Sequence, residues 1–156
     1  MMAVKEINLD NVTKNATQEE KLAAKFVNCV MKDGKKNAAR KAVKKALLIA
    51  QDKIGEPALG VLKKAIDNIR PAVEVKSRRI GGSTYQVPTD IKPNRQTALA
   101  FRWLISFSRN RSEKGFANKL ASELFDACNG RGGAMKKKED THKMAEANKA
   151  FAHFRW

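Results

Sequence analysis

Apolar residues along most of this chain recur at spacings of three and four, which is the period of one face of an α-helix. Thr17 and Glu20 open the first such stretch and predict a capping box, and Gly34 is expected to end that helix in a left-handed conformation. Later stretches predict helices from about residue 35 to Gly55, from Pro57 to Arg70, and over 95–110, 113–128 and 136–153. The pattern therefore predicts a mainly α fold, a bundle of about six helices.

The apolar positions of these helices predict one shared core, with the fourth helix the most buried. Trp103 in that helix is interpreted as a core residue, the alternative being a platform on which nucleic-acid bases stack. The predicted inward positions are Leu22, Phe26 and Val30; Ala39, Val43, Ala46, Leu47 and Ala50; Leu59, Leu62, Ile66 and Ile69; Leu99, Ala100, Phe101, Trp103, Leu104, Ile105 and Phe107; Phe116, Leu120, Leu124 and Cys128; and Met144, Ala147, Phe151 and Phe154.

Residues 73–88 break the helical period and predict a two-stranded β-hairpin between helices three and four. Val73 and Val75 alternate with polar residues, and Gly81 with Gly82 provides the positive φ values that a tight turn needs. With the glycines at the turn, the predicted register pairs Ile80 with Ser83, Arg79 with Thr84, Arg78 with Tyr85 and Lys76 with Val87. Neither face then suits a core, so the hairpin is expected to project into solvent.

The charge balance indicates a polyanionic partner. The chain has 156 residues, a size typical of a single domain, with 32 Lys and Arg against 16 Asp and Glu, a formal net charge of +16. No apolar run reaches the roughly 18 residues that span a bilayer, so we expect no membrane partner. Residues 1–16 carry little of this charge and are interpreted as a flexible arm. Nucleic acid is the partner that the composition favours.

Candidate phosphate-binding cations occur in three groups besides the hairpin. Helix two has no acidic residue over 34–51, so its lysines are not explained by ion pairs within the helix, although a merely solvated face is the alternative. A glycine-rich loop over 130–133 followed by lysines is typical of a flexible phosphate grip. The candidates are Lys35, Lys36, Arg40 and Lys44; Arg95, Arg109 and Arg111, expected to be free at the ends of helix four; and Arg131, Lys136, Lys137 and Lys138. The hairpin candidates are Lys76, Arg78, Arg79, Gly81, Gly82 and Tyr85, or else a surface ribbon whose cations only aid solubility.

Residues that would support catalysis or bind a metal or other cofactor do not form a recognisable set. His142 and His153 have no partner at a zinc-ligand spacing, and the glycine-rich loop lacks the Walker order. Glu139 and Asp140 are interpreted as favourable charges at a helix start. Cys29 and Cys128 are expected to be free buried thiols in a reducing compartment, with one disulfide as the alternative. We therefore expect no enzyme, no cofactor and no metal; a free-standing DNA-binding protein and a nuclease are the rival interpretations.

Three stretches of the sequence resemble small-subunit ribosomal protein seven of the bacterial and organellar type. They are LKKAIDNIRPAVEVKSRRIGGSTYQVP from residue 62, ALAFRWL from residue 98 and NGRGGAMKKKEDTHKMAEANKAFAHFRW from residue 129, with a looser match at MKDGKK from residue 31. The resemblance covers about nine-tenths of the chain. It implies six helices with a β-ribbon between the third and fourth.

The resemblance also implies a function. It implies binding to the 3′ major domain of small-subunit ribosomal RNA (rRNA), initiation of assembly of the subunit head, and a ribbon near the exit-site transfer RNA and the messenger RNA. Neighbours would be ribosomal proteins nine, eleven and thirteen. The opening residues Met2 to Ile7 lack the Arg-rich arm usual in bacterial members, so an organellar ribosome is weakly favoured over a bacterial cytoplasm.

Overall fold

The computed structural model of the chain describes Leu9 and residues 14–154. This part contains six α-helices, one hairpin between the third and fourth of them, and a terminal 3-10 helix, so the predicted fold class and element order are confirmed. The bounds are α1 Gln18–Val30, α2 Lys36–Ile54, α3 Ala58–Ile69, β1 Val73–Ile80, β2 Ser83–Asp90, α4 Pro93–Arg109, α5 Phe116–Cys128, α6 Gly133–Ala147 and the 3-10 helix Lys149–Phe154.

The capping box that opens α1 is confirmed by a reciprocal pair of hydrogen bonds. The amide of Glu20 donates to Oγ1 of Thr17 at 3.2 Å, and the amide of Thr17 donates to Oε2 of Glu20 at 2.8 Å. Two of the four amides that a helix start leaves unpaired are thereby satisfied. Gly55 ends α2, as predicted, and has the left-handed conformation.

The predicted role of Gly34 is wrong. α1 ends at Val30, four residues earlier, and Gly34 lies in the turn that leads into α2. Asp33 and Gly34 have φ values of +54° and +73°. Two consecutive left-handed residues reverse the chain here, and Asp and Gly are among the few residues that tolerate this conformation.

One hydrophobic core joins the helices. The five predicted inward positions of α2 are all buried, and α2 packs against α5 and α3. The rings of Phe26 and Phe101 lie 5.3 Å apart and join α1 to α4. Trp103 and Phe107 are only partly buried but pack against the core, so the core interpretation of Trp103 is favoured over a stacking platform. Leu9 is also buried in this cluster; the rest of the predicted arm up to residue 13 lies outside the described residues.

The hairpin has the predicted register but not the predicted exposure. All four predicted pairs are present, and both strands continue to a last pair of Val73 with Asp90. The expectation that neither face meets the rest of the protein is wrong, because Val87 is fully buried. Among the described helices, α6 and the 3-10 helix approach the hairpin most closely. One face of the hairpin is therefore docked, and the region around the turn remains exposed.

The last predicted helix is divided in two. α6 ends at Ala147, where Asn148 donates both its backbone and its side-chain N–H groups to the carbonyl of Met144. The predicted inward stripe fails here, since Met144 is 50% exposed and Ala145 is buried instead. In the 3-10 helix, residues three apart lie on one face, which places Phe151 and Phe154 together.

Candidate nucleic-acid interface

Three arginines recur every seven residues on α4: Arg95, Arg102 and Arg109. Seven residues are close to two helical turns, so the three side chains leave the same face of the helix. Lys21 and Lys25 recur at a spacing of four on α1, which packs beside α4. Arg102 and Arg109 of the first row and both lysines of the second row line one groove between α1 and α4.

Two adjoining concavities of about 480 and 520 Å³ make up this groove, and they share Cys29 and Ala98 in their walls. Their described lining contains five cations and no carboxylate. The cations are Lys21, Lys25, Arg70, Arg102 and Arg109, of which Arg70 also pairs with Asp67 at 3.5 Å. A concave surface of one charge sign concentrates counter-ions, so the groove is a candidate polyanion site. We call it the α1–α4 groove.

Arg109 lies where this groove meets the start of α2. It also lines a third concavity of about 300 Å³ together with Lys32 and Lys35. Its guanidinium donates to the carbonyl of Val30 at 3.3 Å and lies 5.9 Å from the centre of the Phe116 ring. The predicted residues Arg109 and Lys35 are thereby brought together, and the basic surface continues from the groove onto α2.

The outer face of α2 is cationic, as the sequence predicts. Lys36 and Lys44 are exposed on the side opposite the buried stripe, and Arg40 is half-buried and donates to Asn37 at 3.2 Å. Asp52, near the end of α2, is the acidic residue of this helix, and it lies eight or more positions from Lys36 and Lys44, beyond the reach of an ion pair within the helix.

Arg111 is not the free cation that the sequence predicts. Its guanidinium reaches the carboxylates of Glu113 at 2.9 Å, Glu123 at 2.8 Å and Asp126 at 2.9 Å. The hydrogen bond from Arg111 lowers the pKa of Glu113 to about 2, and the same contacts raise the pKa of Arg111 above its ordinary value. With three carboxylate partners, Arg111 has a structural role that sequence spacing did not reveal.

The glycine-rich loop is held in place rather than flexible. The almost fully buried carboxylate of Glu123 accepts a hydrogen bond from the amide of Ala134 at 3.0 Å, at the start of α6. A Cβ on Gly133 would lie 2.5 Å from Cδ1 of Phe107, and one on Gly132, whose φ is +95°, would lie 3.0 Å from Oε1 of Glu123. These glycines allow α6 to pack closely, which is a different reason for their presence than an approach to phosphate.

The cations around this loop point in different directions. Arg131, Lys136 and Lys137 are exposed, and Arg131 lies 3.9 Å from Asp126. Lys138 instead donates to the carbonyl of Asn68 at 2.7 Å, near the end of α3. Lys138 thus satisfies a helix-end carbonyl, and the predicted row of three lysines does not form one surface.

The carboxylate of Glu74, at the base of the hairpin, pairs with one cation of α4 and one cation of β1. Arg95 forms a two-pronged contact with Glu74, with distances of 2.9 and 3.1 Å, and Lys76 lies 3.7 Å from the same carboxylate. The hydrogen bond from Arg95 lowers the pKa of Glu74. Arg95 was predicted to be free, but this ion pair connects it to Glu74 and so connects α4 to β1. Arg79 is exposed near the turn, whereas Arg78 is half-buried.

The turn and the tyrosine of the hairpin differ in their surroundings. Gly81 and Gly82 have φ values of +58° and +84° and are exposed, as the turn prediction requires. Tyr85 does not present a bare ring: its centroid lies 4.9 Å from that of Phe151 and 5.8 Å from that of Phe154.

His142 and its acidic neighbours do not cap a helix start. Glu139 and Asp140 are exposed beyond the first turn of α6, so the dipole interpretation is wrong. Nε2 of His142 accepts a hydrogen bond from the amide of Ala72 at 3.1 Å, just before β1. Burial, and then Lys138, lowers the pKa of His142.

The described residues offer no cluster of three His, Cys, Asp or Glu side chains suited to a metal ion. Both cysteines are free thiols, and Cys128 is buried as expected, but Cys29 is exposed in the α1–α4 groove. Burial raises the pKa of both thiols. No helix in the described part of the chain is long and apolar enough to cross a membrane.

Comparisons with known proteins agree on one family. The family model described as ribosomal protein S7p/S5e matches residues 3–149. A small ribosomal subunit protein uS7 of Desulforapulum autotrophicum is 65% identical over 155 residues, which covers 99% of this chain and 100% of the relative. The proteins of the same name from Oleidesulfovibrio alaskensis and Desulfatibacillum aliphaticivorans are 57% and 52% identical, covering 93% and 97% of both chains respectively. These relatives are bacterial, so they give no support to the organellar preference.

Proposed function

Since the chain belongs to the ribosomal protein S7p/S5e family, whose members are structural and non-enzymatic constituents of the small ribosomal subunit, we propose that it binds the 3′ major domain of small-subunit rRNA. In this proposal the helical bundle provides the rRNA-binding surface and starts assembly of the subunit head. The hairpin lies near the exit-site transfer RNA and the path of the messenger RNA.

The carboxylate-free α1–α4 groove is the observation that supports rRNA binding most strongly. Its lining brings five cations together, and neutralisation of phosphates by Lys and Arg provides most of the sequence-independent affinity for nucleic acid. Lys35, Lys36 and Lys44 extend this surface along α2. Shape and phosphate spacing are then read more than base sequence, as is usual for double-stranded RNA.

Lys76 and Arg79 are the proposed hairpin contacts to RNA. Both are exposed on the hairpin, and eight-residue strands at about 3.3 Å per residue have a length of roughly 25 Å. The exposed Gly81 and Gly82 allow the backbone of the turn to approach RNA closely. We assign Arg111 and Lys138 structural roles, in view of their internal partners.

Ribosomal proteins nine, eleven and thirteen are the proposed protein neighbours, of which protein eleven is assigned to the carboxyl-terminal segment. This assignment rests on the resemblance described above. Co-purification of these proteins with reconstituted subunits tests it, and loss of protein eleven after truncation behind Asn148 is the expected result.

A binding comparison tests the RNA assignment. The full chain is titrated against a 3′ major domain transcript and against a 5′ domain transcript of equal length, at about 0.2 M salt, where non-specific binding is weak. We expect at least about a thousandfold preference for the 3′ major domain. Equal affinities for the two transcripts would contradict the proposal and would favour a general polyanion binder.

Footprinting of reconstituted subunits tests the hairpin. The variant Lys76→Ser/Arg79→Ser removes the two exposed hairpin cations, and Lys63→Ser/Lys143→Ser is a control of equal charge change on exposed positions of α3 and α6. We expect the first variant to enter the subunit and lose protection only at RNA nucleotides near the exit site. If both variants give the same footprint, the hairpin does not contact RNA there.

A further inference from the structure

Two aromatic residues of the terminal 3-10 helix pack against the hairpin. Phe151 and Phe154 are three residues apart and so lie on one face of this helix. Both face Tyr85 of β2, at centroid distances of 4.9 and 5.8 Å, and their own rings are 6.3 Å apart. These separations are those of interacting rings. We call Tyr85, Phe151 and Phe154 the aromatic cluster.

The described contacts to the hairpin are concentrated on this side. The helices whose backbones approach β1 and β2 are α6 and the 3-10 helix, while α4 reaches the hairpin through the ion pair of Arg95 with Glu74. That ion pair lies near the base, as does the contact of His142 with Ala72. Tyr85 is closer to the turn, since its pair with Arg78 is the third of the eight residue pairs counted from the turn. The aromatic cluster thus holds the outer half of the hairpin.

A two-stranded hairpin without such support is only marginally ordered in water. The cluster provides this support through residues near the end of the sequence. Phe151 follows Tyr85 by 66 positions. We propose that Phe151 and Phe154 are positioning residues that fix the direction in which the hairpin leaves the bundle. A partner that binds the carboxyl-terminal segment would thereby also shift the hairpin. This last consequence rests on the proposed function; the positioning itself does not.

Distances between spin labels in the free protein test the positioning. Labels are attached at Ser83→Cys beside the turn and at Asp52→Cys on α2, in a Cys29→Ser background, because Cys29 is exposed and Cys128 is buried. We expect one narrow distance distribution in this background. Phe151→Ser/Phe154→Ser is expected to broaden it and to accelerate amide exchange in the outer hairpin by at least about fivefold, the equilibrium factor that two lost ring contacts represent at the lower end of their usual strength.

Three further variants separate positioning from general destabilisation. Met144→Ser removes an exposed apolar side chain from the same end of the chain and should leave the distribution narrow. Tyr85→Ser should reproduce the broadening, and Tyr85→Phe, which keeps the ring, should not. A distribution that stays narrow in Phe151→Ser/Phe154→Ser, or broadens equally in Met144→Ser, would overturn the proposal.

The measurement needs no RNA, so its outcome is independent of the proposed function. Broadening in Phe151→Ser/Phe154→Ser together with unchanged exit-site footprints in Lys76→Ser/Arg79→Ser would support the positioning and contradict the hairpin contact with RNA.

Discussion

Glu123 is a buried residue that holds the exposed loop of Arg131 in place. Its carboxylate is only 1% exposed and joins Arg111 to the amide of Ala134. The loop that carries Arg131 lies between these contacts. A charge in this position is stabilising only while its partners remain, because an unpaired buried charge is strongly unfavourable.

Removing this carboxylate should therefore destabilise the fold. We expect Glu123→Ala to lower the free energy of unfolding by about 3 kcal/mol, since Arg111 loses its most buried partner and the start of α6 loses its acceptor. Glu146→Ala is the matched control: that carboxylate is 78% exposed and pairs only at 3.9 Å with Lys149, so a change below about 0.5 kcal/mol is expected. Urea unfolding followed by circular dichroism measures both. Equal losses would show that the network is not structural.

His142 makes the docking of the hairpin base depend on pH. Its neutral ring accepts the Ala72 amide, and its pKa in the folded protein lies below the ordinary value of 6.5. The contribution is therefore complete above pH 6.5 and is lost as pH falls through the lower folded pKa. Burial and then Lys138 disfavour the protonated ring, and Lys149, Asp90 and Glu146 are the other charged residues that line the same crevice.

Amide exchange at Ala72 measures this dependence. After correction for intrinsic exchange, we expect its protection to stay constant from about pH 8 to pH 6.5 and to fall below pH 6.5. His142→Gln, whose side-chain oxygen can still accept a hydrogen bond, should have protection that does not change over this range. A wild-type protection that is equally flat would contradict the role assigned to His142.

Residue patterns in the sequence predicted some of these roles and not others. The seven-residue spacing of Arg95, Arg102 and Arg109 is visible in the sequence, yet phosphate binding was predicted only for the arginines at the ends of this helix, because its middle was interpreted as core. The partners of Arg111 could not be predicted, since Glu123 and Asp126 are 12 and 15 residues away. Spacing along one helix predicts a face, but ion pairs between elements depend on how those elements pack.

At the scale of elements, the junction of α5 and α6 depends on the close packing of Gly132 and Gly133. Gly133 lies against Phe107 so closely that an added Cβ would be 2.5 Å from the ring. Helix periodicity cannot reveal this contact, because it depends on where α4 crosses the start of α6. The sequence pattern therefore predicted the loop correctly, but its glycines allow close packing of α6 rather than the predicted approach to phosphate.

Two alanine substitutions separate close packing from helix propensity. We expect Gly133→Ala to lower the free energy of unfolding by about 1–3 kcal/mol, because Phe107 or α6 must move. Gly60 lies inside α3 with nothing within 4 Å of a built Cβ. Gly60→Ala should raise stability by about 0.5–1 kcal/mol, since alanine restricts the unfolded chain. Urea unfolding distinguishes the two signs, and a stabilising Gly133→Ala would contradict the packing interpretation.

For the hairpin, the sequence predicted the strand register but not the docking against the rest of the protein. Its register followed from the glycine turn and period-two alternation, which are local features. Its docking involves α6 and the ring contacts of Phe151 and Phe154, which the apolar period assigns to a continuous last helix. The helix stops at Ala147 instead, and a local period cannot show where a helix gives way to a 3-10 turn.

At the scale of the whole molecule, the charge of +16 is distributed over several surfaces rather than one. The α1–α4 groove continues past Arg109 to Lys35 on α2, while Arg131 and the lysines of α6 lie beyond the Arg111 network. The sequence predicted the total charge and the fold class, but the groove itself requires α1 and α4 to be neighbours. Affinity for RNA should then be a sum over separate contacts.

The salt dependence of the affinity measures how many RNA phosphates these surfaces neutralise together. If roughly six to ten phosphates are neutralised, affinity for the 3′ major domain transcript should fall by about 10³ to 10⁵ between 50 and 200 mM salt. Lys25→Ser/Arg102→Ser removes two groove cations and should reduce the slope of log affinity against log salt by roughly 1.5 to 2, because each lost phosphate contact changes it by about 0.9.

Lys63→Ser/Lys143→Ser lowers the net charge equally on exposed positions outside the groove. That control should keep the wild-type slope, since overall charge affects encounter more than the number of released counter-ions. Fluorescence anisotropy over a salt series gives all three slopes, and identical slopes for the two variants would show that the groove is not where rRNA binds.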